Sequence, residues 1–231
     1  AQAKEITYDY TPVDPNDTAP ANFDDRARTI ITKTHGTETA REYWAYFTDS
    51  SSGEFVTIQE VVTTYKDATT QPVAYGHASN LKTERRYYAS SDTPARAGRL
   101  KSIQRPDGTF ERHDYSTDAN NTLVETIEQL AIVSGSPAAI TAKSTRIVRT
   151  TGPRGTLDTE ETFVWDGSAW QPLSSTQHDY DDRLIGSSFP RTESRQDGRV
   201  TAQQSYFDGL PFTRTDAAGT ETLFIYDALE R

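Results

Sequence analysis

Apolar and polar residues alternate over short stretches of this chain, and Gly, Asp and Pro separate those stretches. Residues 54–61 and 162–165 carry β-branched and aromatic side chains in strand-like order. An Asp-Gly step, Asp166-Gly167, lies between the second stretch and Trp170. Such a step between aromatic-rich arms is a strong hairpin signal. Helical periodicity is nearly absent, so the pattern predicts an all-β fold of repeated antiparallel β-hairpins.

One segment, residues 121–133, fits both a helix and a strand. Its apolar residues at helical spacing are Leu123, Ile127 and Leu130. Residues 134–137 read Ser-Gly-Ser-Pro, which is typical of a turn, and residues 141–151 are again strand-like. We therefore predict a long hairpin here, with a short helix as the alternative.

Residues 11–25 form the least regular stretch, with prolines among several Asp and Asn residues. We predict a loop insertion on the surface, between two strands. Its carboxylate and amide oxygens are candidate ligands for Ca²⁺, and they belong to Asp14, Asn16, Asp17, Asp24 and Asp25. The order lacks the central Gly and terminal Glu of a recognised calcium loop, and a solvated turn explains the same residues. No metal site is predicted.

Composition limits the size of the core. Only 34% of the 231 residues are hydrophobic and the mean hydropathy is -0.74, while an aromatic content of 10% argues against disorder. A thin β-structure with much exposed surface fits both facts. The net charge is -10, and the scattered Lys and Arg form no basic stripe, so nucleic acid is not an expected partner.

Two residue types are absent from the sequence. Without Cys there are no disulfides, thiol catalysis or cysteine–zinc sites, and without Met an internal fragment is the more economical interpretation. The sequence also has no apolar run long enough to cross a membrane and no signal peptide.

A Gly-Thr pair precedes a tyrosine at a fixed distance, with Tyr seven residues after Gly. The pairs are Gly36 with Tyr43, Gly108 with Tyr115, and Gly219 with Tyr226. Looser copies begin at Gly155 and Gly198. Gly supplies a turn with positive φ, Thr opens a strand, and the aromatic ring packs on a neighbour. One such unit cannot bury its apolar face alone, whereas stacked units can.

These residues resemble the YD-repeat, or Rhs-repeat, family, whose pattern is roughly Gly, a few residues, Tyr-x-Tyr-Asp, two residues and Gly-Arg-Leu. Tyr226-Asp227 matches the core of that pattern, with Glu230 in place of the usual Gly. Gly98-Arg99-Leu100 matches the link between units. The resemblance is best over residues 96–116 and 155–231, and the insertions at 90–97 and 119–139 depart from it.

The resemblance implies a curved or spiralling sheet, a partial shell, over residues 1–231 of a larger bacterial, secreted or cell-surface protein. Toxin shells and adhesion receptors are of this type. The implied function is that of a structural scaffold for encapsulation, display or adhesion, not of an enzyme. Its partners would be flanking repeats, and an encapsulated C-terminal domain or a surface glycan are further candidates. No cofactor and no catalytic residue are expected.

The histidines give no catalytic or metal-binding pattern. They are His35, His77, His113 and His178, and we interpret them as exposed or turn residues. His178 next to Asp179 suggests a base and its orienting group, but no nucleophile elbow accompanies the pair.

Aromatic clusters are the best sign of a binding role. Residues 43–47 and the pair Trp165 and Trp170 are candidate sugar-stacking platforms. Packing between neighbouring strands is the stronger explanation of these residues and is our preferred interpretation. The alternative function is therefore a carbohydrate-binding β module, which requires exposed coplanar rings. Less favoured is a polysaccharide-acting enzyme, which requires a cleft with converging carboxylates.

Overall fold

The computed structural model describes residues 4–17, 25–63, 73–133, 136–140, 144–152, 155–180, 192–197, 200–207 and 210–226. All regular structure in these ranges is β-strand, and neighbouring strands pair in an antiparallel manner. The all-β prediction is confirmed. The chain divides into two compact units, Ala1–Arg112 and His113–Arg231.

The first unit is a meander, in which each strand pairs with the next along the chain. Its strands are β1 (Lys4–Asp9), β2 (Thr29–Thr34), β3 (Thr37–Thr48), β4 (Phe55–Val61), β5 (Leu81–Tyr87), β6 (Leu100–Gln104) and the start of β7 (Thr109–Thr117). The β2–β3 turn has only two residues, His35 and Gly36, and both have positive φ. This is a type I′ turn, whose twist matches that of the flanking strands.

The second unit contains the end of β7, β8 (Leu123–Val133), β9 (Ser136–Ala139), β10 (Thr145–Thr151), β11 (Leu157–Trp165), β12 (Trp170–Asp179), β13 (Thr192–Asp197), β14 (Val200–Phe207), β15 (Leu210–Thr215) and β16 (Glu221–Leu223). In this unit most strands also pair with the next one along the chain, and β10 pairs with β8 past β9. The last residues of β8 pair with β9 and the earlier ones with β10. Residues 123–133 therefore form a strand of a long hairpin, as predicted, and the alternative of a short helix is wrong. Within this pairing Ile127 lies opposite Ile147.

Several turns share one geometry that explains the Gly-Thr pairs. In each, the N–H of the first residue donates to the carbonyl of the fifth, and the N–H of the fourth donates to the carbonyl of the first. This is a three-residue loop with a type I turn and a bulge, and its fourth residue is left-handed. The fourth residues are Gly108, Asn121, Gly155 and Gly219, and a Thr follows each.

The core of the first unit lies on one face of β3 and β4. Ala45, Val56 and Ile58 are buried there, and Val13, Phe47 and Tyr75 pack against them. Val13 belongs to the predicted loop insertion, whose described residues contain no strand. The second unit buries fewer apolar side chains among its described residues, namely Tyr115, Ile127 and Leu130. This agrees with the thin core that the composition predicts.

Candidate binding site: an aromatic pocket

A pocket of about 760 Å³ lies in the first unit, on the face of β3, β4 and β5 opposite to the core. Successive side chains of a strand point to opposite faces. Trp44 and Tyr46 therefore face the pocket, whereas Ala45 between them faces the core. One sheet thus carries the apolar core on one side and a candidate site on the other.

The register of the strands explains the shape of the pocket. Tyr46 lies opposite Thr57, and Thr57 lies opposite Arg85, so these residues form one row across three strands. The small Thr57 side chain is buried between two much larger neighbours. A small residue in the middle of such a row leaves a depression in the sheet surface.

Five aromatic rings line the pocket. They belong to Trp44, Tyr46, Phe55, Tyr87 and Tyr88. The Trp44 and Tyr46 rings are almost parallel, with 6.2 Å between centroids and 9° between planes. The Phe55 and Tyr87 rings are 5.8 Å apart and inclined at 41°. The wall therefore offers flat apolar surfaces to a bound molecule.

The charges at the pocket are positive. Arg26 and Arg85 line it, and none of the described lining residues is an Asp or a Glu. The Arg28 guanidinium lies 4.6 Å from the centroid of the Tyr46 ring and pairs with Asp17 at 2.6 Å. Burial raises the pKa of the Tyr46 hydroxyl, and the nearby Arg26 and Arg28 oppose that shift. The described lining of the pocket therefore carries positive charge, although the net charge of the whole chain is -10.

Two donors at the pocket have no acceptor. Trp44 Nε1 and Arg85 Nη1 are buried and make no hydrogen bond. A buried unsatisfied polar group costs about 1–3 kcal/mol, so such groups are uncommon in folded proteins. Both belong to residues that line the pocket. An acceptor group of a bound molecule would satisfy them.

The predicted aromatic platforms are only partly present. Residues 43–47 divide between the two faces of β3, so they do not form one surface. Trp165 and Trp170 lie opposite each other on β11 and β12, with centroids 5.4 Å apart and an edge-to-face angle of 68°. Arg146 covers the Trp170 ring at 4.3 Å. This pair is packed and not coplanar.

The histidines are scattered. His35 and His77 are exposed in a turn and a loop, as predicted. For His113 the prediction is wrong, because His113 lies on β7, is buried, and contacts Glu125 Oε1 through Nδ1 at 3.2 Å. That contact, with Tyr115 and Arg149 nearby, lowers the pKa of Glu125. The prediction is also wrong for His178, which lies on β12 and is half-buried. His178 and Asp179 are successive residues of that strand, so they face opposite sides of the sheet.

The candidate calcium ligands do not converge. Asp17 is paired with Arg28, and Asp14 accepts the N–H of Asn16, while Asp24 lies outside the described residues. Over the described part of the chain, no three His, Asp or Glu side chains are grouped so that they could hold a metal ion. The same ranges contain no helix of the length and apolarity needed to span a membrane.

The pocket could not be predicted from local sequence patterns. Its lining comes from strand residues and from the segments around Arg26, Ser90 and Gly98, which lie far apart along the chain. The alternation of aromatic residues on β3 was the only signal of it. The sequence matches no protein-family model, and no curated protein matches it significantly.

Proposed function

We propose that this chain is a structural scaffold segment of a large secreted or cell-surface protein of the YD-repeat type, with no catalytic role. One observation supports this most: in both units almost every described strand pairs with the strands that adjoin it in sequence, and the exception is β10, which pairs with β8 past the short β9. A protein built in this way grows by adding hairpins. The proposed roles are encapsulation, display or adhesion.

A recurring tyrosine contact supports a repeated unit. Tyr180, just after β12, donates its hydroxyl to the carbonyl of Leu157 at the start of β11, at 2.8 Å. Tyr226, which follows β16, donates in the same way to Pro211 near the start of β15, also at 2.8 Å. In both places a tyrosine that follows one strand of a hairpin donates a hydrogen bond to the start of the other strand. This gives Tyr226, one of the three tyrosines of the Gly-Thr repeat, a physical role.

The outermost strands are suited to further pairing. In the described residues, β1 and β16 each pair on one side only. All residues of β1 are exposed, including Ile6 and Tyr8, and Leu223 of β16 is 56% exposed. Exposed apolar edge strands are templates for pairing with another strand. Flanking hairpins of the same polypeptide are the partners we propose for them.

The other functions have weaker support. A carbohydrate-binding module needs exposed coplanar rings, but the parallel pair of Trp44 and Tyr46 includes a ring that is only 5% exposed. A polysaccharide-acting enzyme of the usual kind needs two carboxyl groups across a cleft. The described lining of the aromatic pocket contains no carboxyl side chain.

Sedimentation velocity tests the scaffold proposal. We expect self-association that grows with protein concentration, because open β1 edges of two chains pair with each other. A double variant with Ile6→Lys and Tyr8→Lys should remain monomeric, since edge charges oppose strand pairing. Leu173→Lys is the matched control, because Leu173 is similarly exposed but lies on β12, which has a neighbour on each side. A wild type that stays monomeric at all concentrations would contradict the proposal.

A further inference from the structure

We propose that the aromatic pocket of β3, β4 and β5 binds a small flat aromatic carboxylate. This goes beyond the scaffold role, because it assigns a ligand site to one unit of the array. A volume of about 760 Å³ falls within the range of small-molecule sites. Such sites combine apolar walls with a few polar groups that orient the ligand, and this pocket has both.

The positive charge of the pocket lining favours an anionic ligand. The chain as a whole carries -10, yet the described pocket lining has two Arg and no acidic side chain. A carboxylate accepts strong, charge-assisted hydrogen bonds from a guanidinium. Arg85 Nη1 and Trp44 Nε1 are both buried donors without a partner, and a carboxylate oxygen is an acceptor that either of them can bind. A neutral ligand would bind the Arg85 guanidinium without compensating its charge.

The aromatic side chains of the pocket wall favour a ligand with an aromatic ring over a sugar. A sugar carries hydroxyl groups around its ring, and each one buried without a partner weakens binding. The lining offers the short hydroxyl side chains of Thr48, Thr57 and Ser90 and one hydroxyl on each of its three tyrosines, while the faces of its five aromatic rings are apolar. A flat apolar ring fits such walls without that loss, and it gains offset or edge-to-face ring contacts.

Binding requires a local rearrangement. Neither Trp44 Nε1 nor Arg85 Nη1 is open to water in the structure. A ligand reaches them only when a neighbouring side chain moves aside. The environment of the Trp44 indole must then change, so its fluorescence reports on binding.

Fluorescence titration of a variant with Trp165→Phe and Trp170→Phe tests the proposal, since Trp44 is then the sole tryptophan. The probes are phenylacetate, its neutral analogue phenylacetamide, glucuronate and glucose. We expect saturable quenching by phenylacetate and about tenfold weaker binding of phenylacetamide, which lacks the charge-assisted bond. Glucuronate and glucose should bind more weakly than phenylacetate.

Two variants assign the binding to named atoms. Arg85→Gln should weaken phenylacetate binding about tenfold, whereas Arg214→Gln, an exposed Arg of the second unit, should leave it unchanged. Trp44→Phe keeps a ring but removes Nε1, and calorimetry should show weaker binding by that variant. Circular dichroism confirms that each variant is folded, so a loss of binding reflects the lost donor.

Three results would overturn the proposal. The first is the absence of saturable binding for every probe at millimolar concentration. Equal affinities for phenylacetate and phenylacetamide would remove the role of Arg85. Tighter binding of glucuronate than of phenylacetate would reassign the pocket to an acidic sugar. The scaffold proposal is tested separately by self-association, so the two proposals fail independently.

Discussion

Aspartate side chains stabilise several turns of this protein by accepting hydrogen bonds from backbone N–H groups. Asp166 accepts the backbone N–H groups of Ser168 and Ala169, and Asp107 accepts that of Thr109. These bonds to the charged form lower the pKa of both carboxyl groups. The Asp-Gly steps made these turns predictable from the sequence. Asn121 in the left-handed position was not predicted, because Asn adopts that conformation less often than Gly.

Acid should therefore destabilise the fold, and Asp49 provides the test. Bonds from Ser51 and then from Arg86 lower the pKa of Asp49 from its ordinary 3.8 to about 2. The unfolded chain takes up a proton more readily, so this contribution to stability is complete above the ordinary value and is lost as the pH falls through about 2. We expect the melting temperature to decrease over that window.

The variant Asp49→Asn isolates this effect. It should melt below the wild type at pH 7, because the charge that Ser51 and Arg86 contact is lost. The difference in melting temperature between wild type and variant should decrease as the pH falls and the Asp49 carboxyl of the wild type is protonated. An NMR titration of the Asp49 carboxyl measures its pKa directly. A titration near the ordinary value would contradict the bonding described for this turn.

At the scale of the element, the turns that begin strands were predictable from the sequence, but the pairing partner of each strand was not. Each Gly-Thr pair indicated where a strand begins, because positive φ at Gly sets the turn. Residues 121–133 remained ambiguous because the residue that pairs with Ile127 is Ile147, on another strand. Local periodicity contains no information on such pairing. Tertiary contact decided the segment in favour of strand.

The repeated tyrosines should differ in their contribution to stability. Tyr115 is buried at 7% exposure, so Tyr115→Ala should lower the free energy of unfolding by about 3–5 kcal/mol. Tyr226 is only half-buried, and Tyr226→Ala should cost less. Tyr226→Phe removes only the hydrogen bond to Pro211 and should cost about 1 kcal/mol. Urea titrations measure all three, and equal costs for the two alanine variants would contradict this order.

At the scale of the whole molecule, the sequence predicted an all-β array but not the aromatic pocket. The array follows from turns and strands that recur locally. The pocket depends on which strands lie side by side, since Tyr46, Thr57 and Arg85 meet only through the register of three strands. Their types and positions are ordinary for a β-sheet, so no local pattern distinguishes them.

An array with contacts between adjoining hairpins should not unfold in one step. In repeat proteins each unit is stabilised mainly by its neighbours, so separate regions melt separately. Trp44 reports on the first unit, and Trp165 with Trp170 reports on the second. We expect Trp44→Phe and the double variant Trp165→Phe with Trp170→Phe to give different urea midpoints by fluorescence. A coincidence of both transitions with circular dichroism would indicate a single cooperative domain.

The pairing of almost every described strand with strands that adjoin it in sequence also has a consequence for how the chain folds. Contacts between residues close in sequence need little loop closure, and proteins rich in them have low contact order and fold quickly. Most connections here are short turns, such as the one from β6 to β7. Each hairpin can form as soon as its two strands are available, without waiting for the rest of the polypeptide. Such a chain is suited to folding progressively while it leaves a ribosome or a narrow export channel.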